Sequence, residues 1–330
     1  MRKQPKVSVI IPMYNISSYV EVCFGNLSSQ TMTDFEVIFI DDCSLDDSKS
    51  RVYEAIREFS RKDISFIQLQ QDVNMGVACA RNRGLECASG EYVYFYDADD
   101  RLEPDTLSAL YEEAKLRNVD IVGCEWYISF SHNERHIKQG KATTGVELFK
   151  GFTSGVIRWN LWLFLVRRSL YDRNGLRFLP GKNMGEDMMI MLKLSLVATD
   201  VSIVHRPLYH YVQTNTEAQT RNWSKEKREQ VTANVYAVET FCKDKFNDTF
   251  DLEIDFLKQA IKLPYLISDK REDYKVWSEW FPESDRSIRL NKVLPFRTRI
   301  LQRAAAKRQY WFLWLYYLSI YKVLYGVIYR

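Results

Sequence analysis

The sequence predicts an α/β fold: a mostly parallel sheet flanked by helices, with a C-terminal helical extension. Two observations carry this reading. Over the first hundred residues, short runs rich in Val, Ile, Phe and Tyr alternate with stretches of helical periodicity, the pattern of parallel strands joined by crossover helices. Three polar clusters, Tyr14-Asn15, Asp41-Asp42 and Asp97 to Asp100, each follow one of the apolar runs. At the carboxyl ends of parallel strands they would converge on one rim, where open α/β sheets bind ligands.

The elements follow in order. Residues 7–12 form a buried apolar strand, 17–30 a helix, and 36–40 a second strand ending in Asp41-Asp42. A helix over 46–60, a strand over 64–69, a helix over 77–88 and a strand over 92–96 complete the first half. Residues 119–130 read as a strand entering a second half, followed by a polar hairpin over 132–141. Beyond Trp223 the pattern is helical, at 224–246, 250–268 and 271–281, and Pro295 marks a break before the tail. No internal repeat or low-complexity linker interrupts it.

Within this frame the stretch Glu91 to Pro104 carries the most chemistry, because an aromatic, β-branched run ends abruptly in carboxylates. Clustered carboxylates at a strand end suit a hard divalent cation, so Asp97 and Asp99 are metal and nucleotide candidates. The alternative is that Asp100 or Glu103 favours the positive end of a helix beginning near Pro104. A second acidic group, Gly185-Glu186-Asp187, heads an apolar helical run over 188–198. Acids there either favour the helix dipole by ~0.3–1 kcal/mol or supply a general base that takes a proton from an attacking hydroxyl.

The residues Val-Ser-Val-Ile-Ile-Pro-Met-Tyr-Asn (7–15), Asp-Asp-Cys-Ser-Leu-Asp-Asp-Ser (41–48), Asn-Met-Gly-Val-Ala-Cys-Ala-Arg-Asn-Arg-Gly (74–84) and Asp-Ala-Asp-Asp (97–100) resemble the serial motifs of family-2 glycosyltransferases. Gly185 to Met188 and Pro207 to Tyr211 resemble its later signatures, so the likeness covers about residues 5–215 in order. Departures are Cys43, where Gly is commoner, and Tyr96, where an aliphatic residue is usual. The resemblance implies a Rossmann-like GT-A fold of bacterial glycan-assembly type. It implies a donor site of Pro12, Tyr14, Asp42, Asn74, Arg81, Asp97, Ala98 and Asp99. Tyr14 would stack on the base, Asp42 would accept from a uracil N–H, and Asp97 would serve the ribose or phosphate side. Asp99 would coordinate Mn²⁺ or Mg²⁺ on the diphosphate, and Arg81 would add cationic support. Asp187 would be the catalytic base of an inverting transfer, with Glu186 beside it on the acceptor side.

Each assignment has a plainer alternative: a packed turn aromatic for Tyr14, helix capping for Asp42 and Ser44, and an ordinary surface cation for Arg81. Trp159 and Trp162 either stack on an acceptor sugar or fill the core. Of the four histidines, His132, His136, His205 and His210, His210 is either an extra metal ligand or a hydrogen-bonded residue between two tyrosines.

At 46% apolar, 330 residues hold ample material for a large core. The six cysteines contain no Cys-x-x-Cys pair, which suggests neither a zinc site nor a disulfide framework. Reduced, cytosolic thiols are expected, and residues 1–5 run into the first strand without a signal peptide. Charge is uneven: from Arg286 onward there are ten Lys and Arg and no acid, while earlier acids exceed bases by seven. Such a tail argues for an anionic partner. Residues 310–329 are apolar apart from Lys322, and nine of the twenty are aromatic. Ser319, Lys322 and Gly326 fall on one stripe, which favours an in-plane amphipathic helix on an anionic membrane over a span. Packing on the protein's own core, or on a second subunit of a homo-oligomer, is the alternative. No nucleic-acid module accompanies the basic tail, so no nucleic acid is expected.

The expected organisation is a catalytic domain at 1–215, with a nucleotide-binding half at 1–117 and an acceptor half at 118–215. A helical extension at 216–285 and a basic aromatic tail at 286–330 follow. The expected protein is a metal-dependent inverting glycosyltransferase at the inner face of the cell membrane, moving a hexosyl or N-acetylhexosaminyl group from a nucleotide sugar, a UDP-sugar by preference, to a growing, lipid-linked glycan. The rivals are a non-catalytic nucleotide-sugar-binding scaffold and a sugar-nucleotide nucleotidyltransferase. The latter would need a Gly-rich, basic phosphate loop where this chain has Pro-Met-Tyr-Asn.

Overall fold

A computed structural model describes residues 4–213 and 223–320. The chain divides into two compact units, one of residues 1–149 and 158–238, the other of 150–157 and 239–330. The division falls inside a helix that runs over Lys225–Phe246. Residues 321–330, with Lys322 and Gly326 of the expected tail helix, lie outside the described residues, as does the 215/216 boundary.

The first unit opens with β1 (Val7–Met13), α1 (Val20–Ser29), β2 (Phe35–Asp41), α2 (Ser48–Glu58), β3 (Ile64–Gln70), α3 (Val77–Cys87) and β4 (Tyr92–Phe95). There follow β5 (Arg101–Leu102), α4 (Thr106–Arg117), β6 (Ile121–Ser129), β7 (Glu134–Ile137), α5 (Gly145–Ser154), β8 (Phe164–Arg167), α6 (Arg168–Asn174), α7 (Glu186–Val197), β9 (Val201–Val212) and α8 (Lys225–Phe246). The strands make one sheet in the order β3-β2-β1-β4-β8-β6-β9-β5, with β7 on β6. The expected parallel character belongs to β3-β2-β1-β4 and to β6-β9. The pairs β4-β8, β6-β8, β6-β7 and β5-β9 are antiparallel.

Every residue of β2 is buried and β1 nearly so, as a strand covered on both faces requires. Phe24 of α1 stacks on Phe39 of β2 at 5.3 Å between ring centroids and on Phe66 of β3 at 5.8 Å. β4 buries tyrosines whose hydroxyls find carbonyls: Tyr92 donates to Val119 and Tyr94 to Trp162. Buried phenols need such partners. Because β1, β2, β3 and β4 run parallel, their carboxyl ends share one edge, and the three polar clusters lie there as expected.

The second unit is helical among its described residues: α9 (Asp251–Ile261), α10 (Arg271–Glu279), α11 (Phe296–Ala306) and α12 (Tyr310–Tyr316). A single helix over 250–268 is not formed, because Pro264 opens a short 3₁₀ turn after α9. Pro295 caps α11, the expected break. The interior holds paired charges: Lys258 lies 2.9 Å from both Glu239 and Glu283, and Lys262 is 3.0 Å from Asp285 with its ammonium 4.0 Å from the Trp277 ring centroid.

Candidate functional site

The rim is stitched together by loop side chains. Asn15, with φ of 54°, donates its amide to Ser44 Oγ, and its Oδ1 accepts from the Leu45 amide at 2.8 Å, fastening the β1 and β2 loops. Pro12 lies in β1 opposite Ile40. Tyr14 is 44% exposed, so its ring is open to a ligand rather than packed in the turn. The alternative role for Asp42 and Ser44, capping of the next helix, is not found at α2. The Ser48 amide at the start of α2 donates to Asp46 instead.

Asp42 is buried and faces the next loop. Its Oδ1 accepts from Gln71 and from the Met75 amide at 2.8 Å, and its Oδ2 from the Gly76 amide at 2.8 Å. Three of a carboxylate's roughly four acceptor positions are thus spent on holding the loop that carries exposed Asn74. Gly76 has φ of 85°, and a Cβ there would sit 2.0 Å from the Asn183 side chain, so glycine is required on both counts. Asn183 Oδ1 in turn accepts the Ala78 amide in the first turn of α3.

Arg81, on α3, is only 4% exposed, so it is no ordinary surface cation. Its guanidinium lies between the rings of Phe95 and Phe178, 5.8 and 5.7 Å from their centroids. Its Nη1 donates to Glu186 at 2.7 Å and to Asp187 at 2.6 Å, and its Nη2 is 3.5 Å from Asp97. One buried cation therefore joins the acidic turn after β4 to the acidic start of α7. Asp187 Oδ2 also accepts the Leu161 amide at 3.2 Å. Gly185, at φ of 79°, gives α7 the entry that points both acids inward. Asn234 of α8 secures that entry by donating to the Lys182 and Met184 carbonyls.

The acidic turn is anchored from below. Tyr96 donates its hydroxyl to the Asp100 carbonyl at 2.9 Å, which gives the aromatic departure from the family pattern a structural purpose. Asp100 is buried, accepting from the Tyr209 hydroxyl at 2.6 Å and from the Val212 amide at 2.7 Å. It therefore ties the turn to β9 and does not cap α4. Ala98 is buried between Asp97 and Asp99.

Electrostatics follow from this crowding. Burial pushes the Asp97 carboxyl up to about 6, with Asp99 and Asp187 adding repulsion and Arg81 opposing. Burial, and then Asp187, push Glu186 up to about 8 against the pull of Arg81. Asp100 is raised by burial and by its acidic neighbours. Among the described residues no group of three or more His, Cys, Asp or Glu is placed to hold a metal ion by itself. Two adjacent carboxylates completed by diphosphate oxygens are nonetheless a donor set that Mg²⁺ takes, and mutual repulsion between them favours a cation. Asp97 and Asp99 fit that requirement.

Two expectations are corrected by geometry. Trp162 is 5% exposed and stacks on Tyr209 at 4.2 Å and on Tyr211 at 5.7 Å, so its faces are covered and it fills the core. His210 has both ring nitrogens facing carboxylates, Nε2 at 2.8 Å from Glu103 and Nδ1 at 3.0 Å from Glu134, which is the hydrogen-bonded alternative to ligation. The residues of that strand that reach the acidic turn are Tyr209, through its hydroxyl, and Val212, through its amide. Asn183, Asn234 and the Leu161 amide carry no sequence signal, and Tyr209 stood in the sequence only within the Pro207 to Tyr211 stretch that resembles a family signature.

A family model described as "Glycosyl transferase family 2" matches residues 8–190. The chain is 31% identical over 214 residues to a Bacillus subtilis protein described as the uncharacterized glycosyltransferase EpsJ, covering 63% of this chain and 61% of that one. It is 34% identical over 218 residues to a cholesterol galactosyltransferase of Borreliella burgdorferi, covering 62% and 59%. The chain thus spans about three fifths of the length of these relatives. Among solved structures, S. aureus TarS 1-349 in complex with UDP-GlcNAc superposes with a TM-score of 0.74 at 20% identity, over 95% of this chain and 92% of that one. The mannosyltransferase PcManGT from Pyrobaculum calidifontis, in complex with GDP-Man and Mn²⁺, reaches 0.52 at 16% identity, over 94% and 88%. At such identities the likeness establishes the fold, a GT-A arrangement.

Proposed function

Because the chain belongs to glycosyl transferase family 2, we propose that it is an inverting glycosyltransferase that moves a hexosyl or N-acetylhexosaminyl group from a UDP-sugar to a hydroxyl of a growing, lipid-linked glycan. The observation that carries this reading is the Arg81 bridge, which sets an acceptor-side carboxylate, Asp187, and a donor-side carboxylate, Asp97, against one cation. In-line displacement needs that division of labour.

In this reading Tyr14 stacks on the base, and Asp42 recognises the uracil N–H with the acceptor position left free by the 71–76 loop. Pro12, Asn74 and Ala98 complete the donor wall. Asp99, with Asp97 beside it, would hold Mn²⁺ or Mg²⁺, whose charge offsets that of the departing diphosphate. Asp187 takes the proton from the acceptor hydroxyl as its oxygen attacks the anomeric carbon opposite the leaving group. The Leu161 amide and Arg81 hold the Asp187 carboxylate in one orientation, so little reorganisation accompanies the transfer. Glu186 shares the same guanidinium on the acceptor side. Support for a uridine donor comes from the UDP-GlcNAc complex of the TarS neighbour, and support for a cation from the Mn²⁺ of the mannosyltransferase. The workplace proposed is the cytoplasmic, inner face of the cell membrane, with the protein bound peripherally.

The test is release of free UDP from a panel of UDP-sugars, with and without membrane lipid extract. Asp187→Asn should retain donor binding and lose at least ~10²-fold in turnover, the contribution general-base catalysis typically makes. Near-normal turnover at saturating acceptor would remove Asp187 as the base.

A further inference from the structure

The second unit carries a surface whose chemistry is unlike the rest of the molecule. Of the large apolar side chains left exposed among that unit's described residues, most fall between residues 290 and 315: Leu290, Val293, Phe296, Trp311 and Leu315. Phe296 is 66% exposed and Trp311 64%. An exposed tryptophan and phenylalanine lack water as a favourable neighbour, and such patches mark interaction sites. Trp311 and Leu315 lie one turn apart on one face of α12. The Arg297 guanidinium lies 5.9 Å from the Tyr316 ring centroid, which brings the start of α11, with Phe296, beside the end of α12. That contact sets Phe296 near Leu315, from which Trp311 lies one turn back along α12.

Cations are interleaved with them. Arg289, Lys292, Arg297, Lys307 and Arg308 are all exposed, and no Asp or Glu occurs after Asp285. Among the described residues no helix is long and apolar enough to cross a membrane. Aromatic side chains beside unopposed cations complement a bilayer surface, where rings enter the headgroup boundary and cations meet anionic lipid.

We propose that the Leu290–Leu315 face of the second unit is a docking surface for an anionic lipid bilayer, held in the plane of the headgroups by Phe296 and Trp311 and by the cations around them. The surface stands independently of the transfer chemistry, since no residue of the proposed donor or acceptor site contributes to it. A protein that builds on a lipid-carried acceptor gains from it by confining itself to two dimensions with its substrate.

The test uses the full chain and vesicles of phosphatidylcholine with and without phosphatidylglycerol, read by co-sedimentation. Binding should be strong only to the anionic vesicles and should weaken as salt is raised. Replacing Arg289, Lys292 and Lys307 together by Gln should lower partitioning about 10²-fold, at roughly 1 kcal/mol per cation and 1.4 kcal/mol per tenfold. Phe296→Ser with Trp311→Ser should lower binding to anionic vesicles while leaving UDP affinity unchanged, which separates this surface from the nucleotide site. Equal binding to neutral and anionic vesicles, or full binding by both variants, would overturn the proposal. So would a dimer of the wild-type chain that the Phe296 and Trp311 substitutions abolish without any vesicle binding, since the occupant would then be a second copy.

Discussion

Replacing Arg81 with Met keeps most of the side chain's volume between Phe95 and Phe178 and removes only the charge. Three carboxyl groups then lose their common cation, with Glu186 and Asp187 losing hydrogen bonds of 2.7 and 2.6 Å. Breaking a buried ion pair by removing one partner costs about 3–5 kcal/mol. The cost should depend on pH, and its sign follows from the raised carboxyls. Asp97 and Glu186 in the folded protein release their protons near 6 and 8, above the usual carboxylate range. The folded state therefore binds more protons than the unfolded chain, and stability falls as pH rises through that window. Without Arg81 these groups hold protons tighter still, so the deficit of the variant should widen with pH. It should approach about 3–5 kcal/mol only well above pH 8, where Glu186 is ionised even without Arg81, and shrink near pH 5 by ~1.4 kcal/mol for each tenfold gain in proton affinity. Urea unfolding followed by tryptophan fluorescence, without metal or nucleotide, measures both. A deficit below ~1 kcal/mol at the higher pH, or one equal at both, would refute the claim that Arg81 neutralises and joins these acids.

Other outcomes follow from the same geometry. Asp99→Ala should weaken Mn²⁺-dependent UDP binding by at least ~10-fold, worth 1.4 kcal/mol; calorimetry showing unchanged metal-dependent affinity would remove Asp99 from the site. Tyr209→Phe deletes one hydrogen bond to buried Asp100 and leaves that oxygen without its donor, a loss of about 1–3 kcal/mol. It should raise the metal concentration needed for half-maximal activity while leaving turnover at saturating metal nearly unchanged. An equal loss at all metal concentrations would place the effect in general stability.

The first half of the fold was legible because β1, β2 and β4 are apolar runs that the fold buries, because the half-exposed edge strand β3 keeps apolar Ile64, Phe66, Ile67 and Leu69, and because its helices show the 3.6-residue period. β1, β2, β3, β4 and α3 stand within a residue or two of the expected bounds. The candidate site was legible as a set of residue types but not as a set of contacts. Asp42 could be placed at a strand end, yet nothing local says that its oxygens hold the amides of Met75 and Gly76. Arg81 reads as one more cation on a helix, and only tertiary closure brings it against residues more than a hundred positions away. Trp162 illustrates the reverse error, since composition cannot tell a ring that offers its face to a sugar from one already stacked. Asn183 and Asn234 act through backbone groups of loops, and a loop's shape is set by its surroundings rather than by its own period.

If Mn²⁺ and UDP bind as proposed, the charge of the site should make each depend on the other. Asp97, Glu186 and Asp187 share the one cation of Arg81, Asp99 adds repulsion at Asp97, and both do so at Asp100. The protein relieves the excess by holding protons on Asp97, Asp100 and Glu186 more tightly than usual. A diphosphate brings further negative charge into this pocket, so its binding alone is opposed. A divalent cation alone finds two carboxylates and no completed shell, so its binding alone is weak. Together each offsets the other's deficit, and linkage requires that Mn²⁺ raise UDP affinity by the same factor by which UDP raises Mn²⁺ affinity. Because ligation needs the deprotonated carboxylate, and Asp97 takes up its proton near 6, this coupling should fade as pH falls through that value. Calorimetric titrations in both orders, at two pH values either side of it, measure the factor. Independent binding of UDP and Mn²⁺ at the higher pH would show that the acidic turn does not hold the cation against the diphosphate, whatever else the glycosyltransferase fold does.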